Sequence, residues 1–150
     1  MKNIAIFLSI ILFFGLATFQ NCTPKETGTQ KVDSMANYFP FSISDNEGHF
    51  TITVATESKE LYPKYSDFFE KYGYTGNGYC WEGHITQVLE KINPDLLKHI
   101  DFDPEAGAFY AHVDTKENQI KFVELLSPIF SDLKKLEEYV KKADRSRVDD

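Results

Sequence analysis

The spacing of the hydrophobic residues switches between two periods along residues 38–140, and this switch constrains the fold more than any other feature of the chain. Apolar residues at every second position are typical of a strand with one buried face, whereas a spacing of three or four is typical of a helix. A chain that carries both patterns in successive blocks is expected to fold as an α+β domain.

Strand-like alternation occurs in two pairs of segments, and a turn sequence separates the members of each pair. The first pair covers residues 38–44 and 50–54 around the turn sequence 45–48, and the second covers 100–103 and 109–113 around 104–107. Polar residues and glycine between two alternating segments favour a β-hairpin. The two hairpins predict a four-stranded antiparallel sheet.

Helical spacing fills the segments between the hairpins. A first helix is expected between Ser58 and Gly73, because apolar residues from Leu61 to Tyr72 recur at helical spacing and glycine suits the end of a helix. A second helix carries an apolar stripe that begins at Trp81 and ends before Pro94, since proline disfavours helix at the preceding residue.

Two further helices are expected after the second hairpin. Asp114 and Glu117 have the spacing of a capping box and predict a helix through Leu126. Pro128 should break or kink that helix, and we interpret Ser127 and Pro128 as the cap and first residue of a last helix. The predicted order is ββααββαα, with three to four helices on one face of the sheet and the other face open.

Residues 1–21 have the composition of a signal peptide. Lys2 supplies a positive start, and a helix over the apolar run 4–17 would cover about 21 Å, less than the roughly 30 Å hydrocarbon core of a bilayer. Cys22 follows this segment directly, like the lipidated cysteine of bacterial lipoproteins, although Phe19 and Asn21 are not the usual flanking residues. The pattern predicts a lipid-anchored protein of the cell envelope that faces the periplasm or the exterior, with a secreted soluble form as the alternative.

The rest of the chain divides into three parts. Residues 22–36 are mostly polar and are expected to form a flexible tether. Residues 37–144 are expected to form the folded domain and residues 145–150 a disordered tail. Cys22 and Cys80 are the two cysteines. A lipid on Cys22 would leave Cys80 as a small buried hydrophobe, whereas a Cys22–Cys80 disulfide would exclude the anchor.

The charge balance excludes some classes of function. The formal net charge is −7, so nucleic acid is not an expected partner, and a basic partner fits better. The histidines show no metal-ligand or nucleophile-base spacing, and they are His49, His84, His99 and His112. We therefore predict no catalytic residues, no metal and no other cofactor.

Two short segments differ from the general pattern. Residues 72–81 combine three glycines with four aromatic residues, and we expect Trp81 and Tyr72 in the core but Tyr74 and Tyr79 at the surface. In the second segment, 101–109, strand geometry points Asp101 and Asp103 the same way, so a carboxylate cluster with Glu105 is possible. A turn cap by Asp103, a calcium site and acid-base chemistry are the competing interpretations.

Together, residues 39–41 (Phe-Pro-Phe), 73–81 and 102–109 resemble the immunity protein 51 family of bacterial polymorphic toxin systems. The similarity covers about residues 38–143 and implies a small, non-enzymatic α+β protein that binds and neutralises a cognate toxin. By motif position it extends to Gly76, Asn77, Gly78, Tyr79, Trp81, Asp103, Pro104, Glu105 and Gly107. The residues that we expect to bind the partner are Tyr74, Asn77, Tyr79, Asp101, Asp103 and Glu105.

Three functions remain open from the sequence. The first is an exported, lipid-anchored immunity protein whose acidic and aromatic surface binds a basic toxin. The second is an envelope lipoprotein with ligand-binding or hydrolase activity that uses the carboxylate cluster, and the third is a structural lipoprotein without a specific partner.

Overall fold

Two β-hairpins lie side by side and form one antiparallel sheet. The computed structural model describes residues 37–148, and the strands are β1 (Ser42–Asn46), β2 (His49–Val54), β3 (Ile100–Phe102) and β4 (Phe109–Val113). The strand order is β1-β2-β4-β3, and every neighbouring pair is antiparallel. The predicted α+β fold with two hairpins is confirmed.

The first hairpin is closed by a two-residue turn. Glu47 and Gly48 have φ values of 54° and 89°, the left-handed conformation that a tight turn between twisted strands requires. Asp45 Oδ1 accepts a hydrogen bond from Gly48 N at 3.2 Å. The strand before this turn begins at Ser42 rather than at Tyr38, because the backbone first turns and Phe41 N donates to Tyr38 O at 2.8 Å.

Four α-helices lie within residues 37–148. They are α1 (Tyr62–Glu70), α2 (Gly78–Ile92), α3 (Lys116–Phe130) and α4 (Leu133–Val140). The positions predicted for the first two helices are confirmed, and Gly73, with φ of 77°, follows α1 in the left-handed conformation. A short 3-10 helix, Pro94–His99, was not predicted.

The predicted cap of α3 is wrong by one residue. Thr115 is the N-cap, and its Oγ1 accepts a hydrogen bond from Asn118 N at 3.2 Å. The carboxylate of Asp114 contacts two other side chains instead. Its Oδ2 lies 2.6 Å from His99 Nδ1, and its Oδ1 accepts a hydrogen bond from Asn118 Nδ2.

The predicted break at Pro128 is also wrong. α3 runs through Pro128 to Phe130, and Asp132, not Ser127, caps α4 by accepting from the backbone N–H of Lys134. Pro128 lies on the exposed side of α3, where water can hydrate the carbonyl that the proline leaves without a donor. Ser127 is buried, and its hydroxyl donates to Phe39 O at 2.7 Å.

An aromatic core fills the space between the inner face of the sheet and the helices. Trp81 is fully buried at its centre, as predicted, and the centroids of Tyr65 and Phe130 lie 4.9 and 5.3 Å from its ring. Phe41 and Phe69 also contact the ring of Trp81. The helices therefore pack against one face of the sheet through a continuous set of rings.

The prediction of a disordered tail is wrong for residues 145–148. A 3-10 turn, Arg145–Arg147, follows α4, and Val148 is buried against α2. Arg145 donates to the carbonyl groups of Tyr72 and Gly73, so its guanidinium ties the tail to the end of α1. The remaining residues, 149–150, lie outside the described part.

The predictions of a signal peptide, of a lipid on Cys22 and of a tether concern residues 1–36, outside the described residues. Within residues 37–148, the helices are all too short or too polar to cross a bilayer. Cys80 is fully buried, and the alternative between a lipid on Cys22 and a Cys22–Cys80 disulfide stays a prediction.

Candidate functional site

The outer face of the sheet carries polar side chains and no covering helix among the described elements. Cross-strand pairing aligns Ser44, Thr51, His112 and Asp101 in one row, and Ser42, Thr53 and Tyr110 in the next. Inner-face neighbours such as Ile52 and Ala111 are fully buried. We call the face formed by these polar residues and Asp103 the open face. As predicted, the helices within residues 37–148 cover only the opposite face of the sheet.

Two carboxylates form an acidic edge of the open face. Asp101 lies opposite His112 on the edge strand β3, and Asp103 follows the strand, with its Oδ2 3.9 Å from His112 Nε2. His112 also lies 3.2 Å, through Nδ1, from Thr51 Oγ1. Both aspartates are exposed, so their charges are available to a molecule that approaches this edge.

Glu105 lies in the turn beyond the strand and does not complete a metal site with the two aspartates. Its backbone pairs with Ala108 across the turn, with Glu105 N donating to Ala108 O at 2.8 Å. Across residues 37–148, there is no group of three or more histidine, cysteine or acidic side chains arranged to hold a metal ion.

Gly78 brings the glycine-rich segment and the acidic segment together. A Cβ atom at Gly78 would lie 2.1 Å from the carbonyl oxygens of both Ala108 and Glu105. Only glycine permits this approach of one backbone to another. The two segments that stand out in the sequence therefore form one continuous region of the surface.

The three residues of the glycine-rich segment that were predicted to bind a partner differ in their exposure and contacts. Tyr79 is 38% exposed, as predicted. The prediction that Tyr74 faces outward is wrong, because Tyr74 is only 7% exposed and packs between His84 and the guanidinium of Arg145. Asn77 is the N-cap of α2, and its Oδ1 accepts from Cys80 N at 2.8 Å.

A groove that was not predicted from the sequence adjoins this region. It opens to solvent, and we call it the Tyr62 groove after its most exposed ring. The groove is lined by Thr56, Glu57, Tyr62, Tyr65, Ser66, Thr75, Gly76, Asn77 and Ala106. Tyr62 is 56% exposed and lies off the apolar stripe of α1, which is the signal that could have identified it.

A separate polar cluster links α1 to α4. Glu137 accepts hydrogen bonds from Tyr72, Lys141 and Lys71, and these bonds, with that of Tyr72 the strongest cause, lower the pKa of Glu137 to about 2. Tyr72 is therefore half-buried with its hydroxyl in this cluster, rather than fully inside the core as predicted.

An exposed polar sheet face, an acidic edge and an adjoining groove together have the features of a surface that binds another macromolecule. The model of the family described as Immunity protein 51 matches residues 41–145. The chain therefore belongs to the immunity protein 51 family, which comprises immunity proteins for toxins, and the family implies a cognate toxin as partner. Neither the curated proteins nor the solved structures include a significant match to the chain.

Proposed function

We propose that this chain is an exported, lipid-anchored immunity protein that neutralises a basic toxin domain by covering it with the open face. The observation that carries the proposal is the family match over residues 41–145, a range that includes all four strands of the sheet. The open face supplies a surface for the contact, and its acidic edge supplies the preference for a basic partner.

The charge of the chain supports a basic partner. The formal net charge is −7, and the acidic edge places Asp101 and Asp103 on the side of the sheet that the described helices leave uncovered. Opposite charges on two proteins accelerate their encounter and set their relative orientation. Tyr79 and Glu105 extend the proposed contact beyond the sheet, since both are exposed and belong to the segments that meet at Gly78.

The experiment is co-production with candidate toxin domains, taken first from the genes that neighbour the gene of this chain. We expect the full chain to restore growth to cells that produce the toxin and to form a stable complex with the purified toxin domain. A catalytically inactive toxin domain allows the complex to be purified without harm to the host. Cells that die equally with and without the chain, together with no complex, would contradict the proposal.

The proposed anchor is supported by the position of Cys22 directly after the apolar leader. Mass spectrometry of the membrane fraction should detect a lipid-modified peptide that contains Cys22. A peptide that links Cys22 to Cys80 would refute the anchor.

A further inference from the structure

We propose that the Tyr62 groove binds a guanidinium group, namely an arginine side chain that projects from the toxin. This inference rests on the proposed function and adds the chemistry of one anchor to it. It also adds residues outside the open face, since Thr56, Glu57 and Tyr62 belong to the loop after β2 and to the start of α1.

Glu57 gives the groove its charge. Among the described residues that line the groove, Glu57 is the one ionisable acid, and there is no lysine, arginine or histidine. Its carboxylate lies beside Gly107, since a Cβ there would be 3.3 Å from Glu57 Oε2. Glu57 forms no salt bridge with another residue of the described range, so its charge is available to a cation from outside.

Tyr62 gives the groove an aromatic wall. The ring is more than half exposed, although tyrosine rings usually bury most of their surface in a folded domain. Pro63 follows Tyr62 in the first turn of α1 and fixes the backbone there. A planar guanidinium can stack on this ring while its N–H groups bond to a carboxylate, which a lysine ammonium does less well.

Thr56 is a buried polar group at the same place. It is 7% exposed, and its hydroxyl has no hydrogen-bond partner within residues 37–148. A buried hydroxyl without a partner destabilises the free protein. Because Thr56 lines the groove, we expect its hydroxyl to accept a hydrogen bond from the bound guanidinium.

The nearby N-terminus of α2 does not favour an anion in the groove. Asn77 Oδ1 already accepts from Cys80 N, and the N–H of Gly78 is directed to Ala106 O at 3.5 Å. These contacts occupy N–H groups that an anion would otherwise use. The negative charge of Glu57 therefore favours a positively charged group in the groove.

A first test uses a small probe and does not depend on the toxin. N-acetyl-L-arginine amide is added to the isotope-labelled full chain in detergent micelles, and the amide resonances are followed by NMR. We expect saturable shifts at Thr56, Gly76 and Ala106 with a Kd of about 1 mM, and none with the uncharged citrulline analogue. Glu57→Gln and Tyr62→Ala should abolish the shifts, whereas Tyr62→Phe keeps the ring and Glu138→Gln lies on α4, so both should retain them.

A second test measures the affinity of the same variants for the toxin domain that the co-production experiment identifies. Glu57→Gln and Tyr62→Ala should each weaken binding about tenfold or more, while Tyr62→Phe and Glu138→Gln should leave it unchanged. Thr56→Val should weaken binding about threefold, as expected for the loss of one hydrogen bond, and should not lower the unfolding temperature.

The outcomes separate this inference from the proposed function. If the arginine amide does not shift the groove resonances, or shifts them equally in Glu57→Gln, the guanidinium site is refuted. The site is also refuted as an anchor if the toxin binds the wild-type chain and both groove variants equally, and the proposed function then stands. If the amide binds the groove but the toxin binds no form of the chain, the affinity of the groove for a guanidinium stands, whereas its role as a toxin anchor and the proposed function are both refuted.

Discussion

The backbone of Gly78 lies against the carbonyl group of Ala108, so closely that a Cβ at Gly78 would be 2.1 Å from that oxygen. This contact joins the first turn of α2 to the turn between β3 and β4. It therefore fixes the position of Tyr79 relative to Glu105, and it joins the two segments that supply Asn77 and Ala106 to the Tyr62 groove.

Replacement of Gly78 by alanine should therefore be severely destabilising. The added methyl group meets rigid backbone on two sides, and we expect the free energy of unfolding to fall by about 3 kcal/mol or more. Urea denaturation of the variant and the wild-type chain measures the difference.

Gly48→Ala is the control for Gly78→Ala. Gly48 has φ of 89°, but a Cβ added there would meet no atom within 4 Å, so alanine should cost only the strain of a left-handed conformation, about 1 kcal/mol. Equal losses in the two variants would show that the Gly78–Ala108 contact is not tight.

Charge reversal at the acidic edge should slow association with the toxin. In a chain that carries Asp101→Lys and Asp103→Lys, we expect the association rate to fall about tenfold at low salt, since steering toward a basic surface is lost. Both side chains are exposed, so the free energy of unfolding should change by less than about 0.5 kcal/mol.

Stopped-flow measurements at two salt concentrations test this charge reversal. The difference from the wild-type rate should shrink as salt rises, because salt screens exposed charges. Glu124→Lys, an exposed change on α3, serves as the matched control. An unchanged rate and salt dependence in the double variant would contradict the role of the acidic edge.

Acid should remove the stabilising contribution of Glu137. The pKa of Glu137 is about 2 in the folded chain, below its ordinary value of 4.5, so the folded state favours the carboxylate more than the unfolded state does. The contribution is fully present above pH 4.5 and is lost as the pH falls toward 2.

Glu137→Gln tests this pH dependence. We expect the variant to be less stable than the wild-type chain at about pH 7 and the difference to decrease between pH 4.5 and pH 2 in urea denaturation. Glu138→Gln, exposed on the same helix, should show no such change. A difference that is constant with pH would exclude Glu137 as its source.

The C-terminal turn should contribute to the stability of the whole domain. Arg145 bonds two carbonyl groups after α1, and Val148 packs so near to Gly83 that a Cβ there would be 2.9 Å from Val148 Cα. Deletion of residues 145–150 should lower the free energy of unfolding by about 2 to 4 kcal/mol. Lys142→Ala, an exposed cation before the turn, should change it by less than about 0.5 kcal/mol. A truncated chain of full stability would contradict this role.

Most helices and strands could be predicted because the spacing of hydrophobic residues that identifies each one lies within its own segment. Alternation identified both hairpins, and the stripes from Leu61 and from Trp81 identified α1 and α2. The helix at Pro128 was not predictable in the same way, since Phe130 and Leu126 are buried on both sides of the proline and their packing keeps the helix continuous. The continuity of the helix at Pro128 therefore depends on tertiary contacts, which the spacing of nearby residues does not reveal.

The surface was predictable only in part. Asp101 and Asp103 share a face because strand geometry alternates, and this could be read from their spacing. The burial of Tyr74 depends on Arg145, which lies 71 positions later in the chain, and the Tyr62 groove depends on three loops that meet. Such contacts join residues that are far apart in the sequence, so the pattern of a single segment does not predict them.

The C-terminal turn also affects when the domain can complete its folding. Since Arg145 and Val148 seal the loop after α1 and the face of α2, the native packing is incomplete until the ribosome has delivered residue 148. A polypeptide whose native packing is still incomplete remains able to thread a narrow translocation channel. That order of events suits a chain with the proposed leader, because folding would then finish on the far side of the membrane.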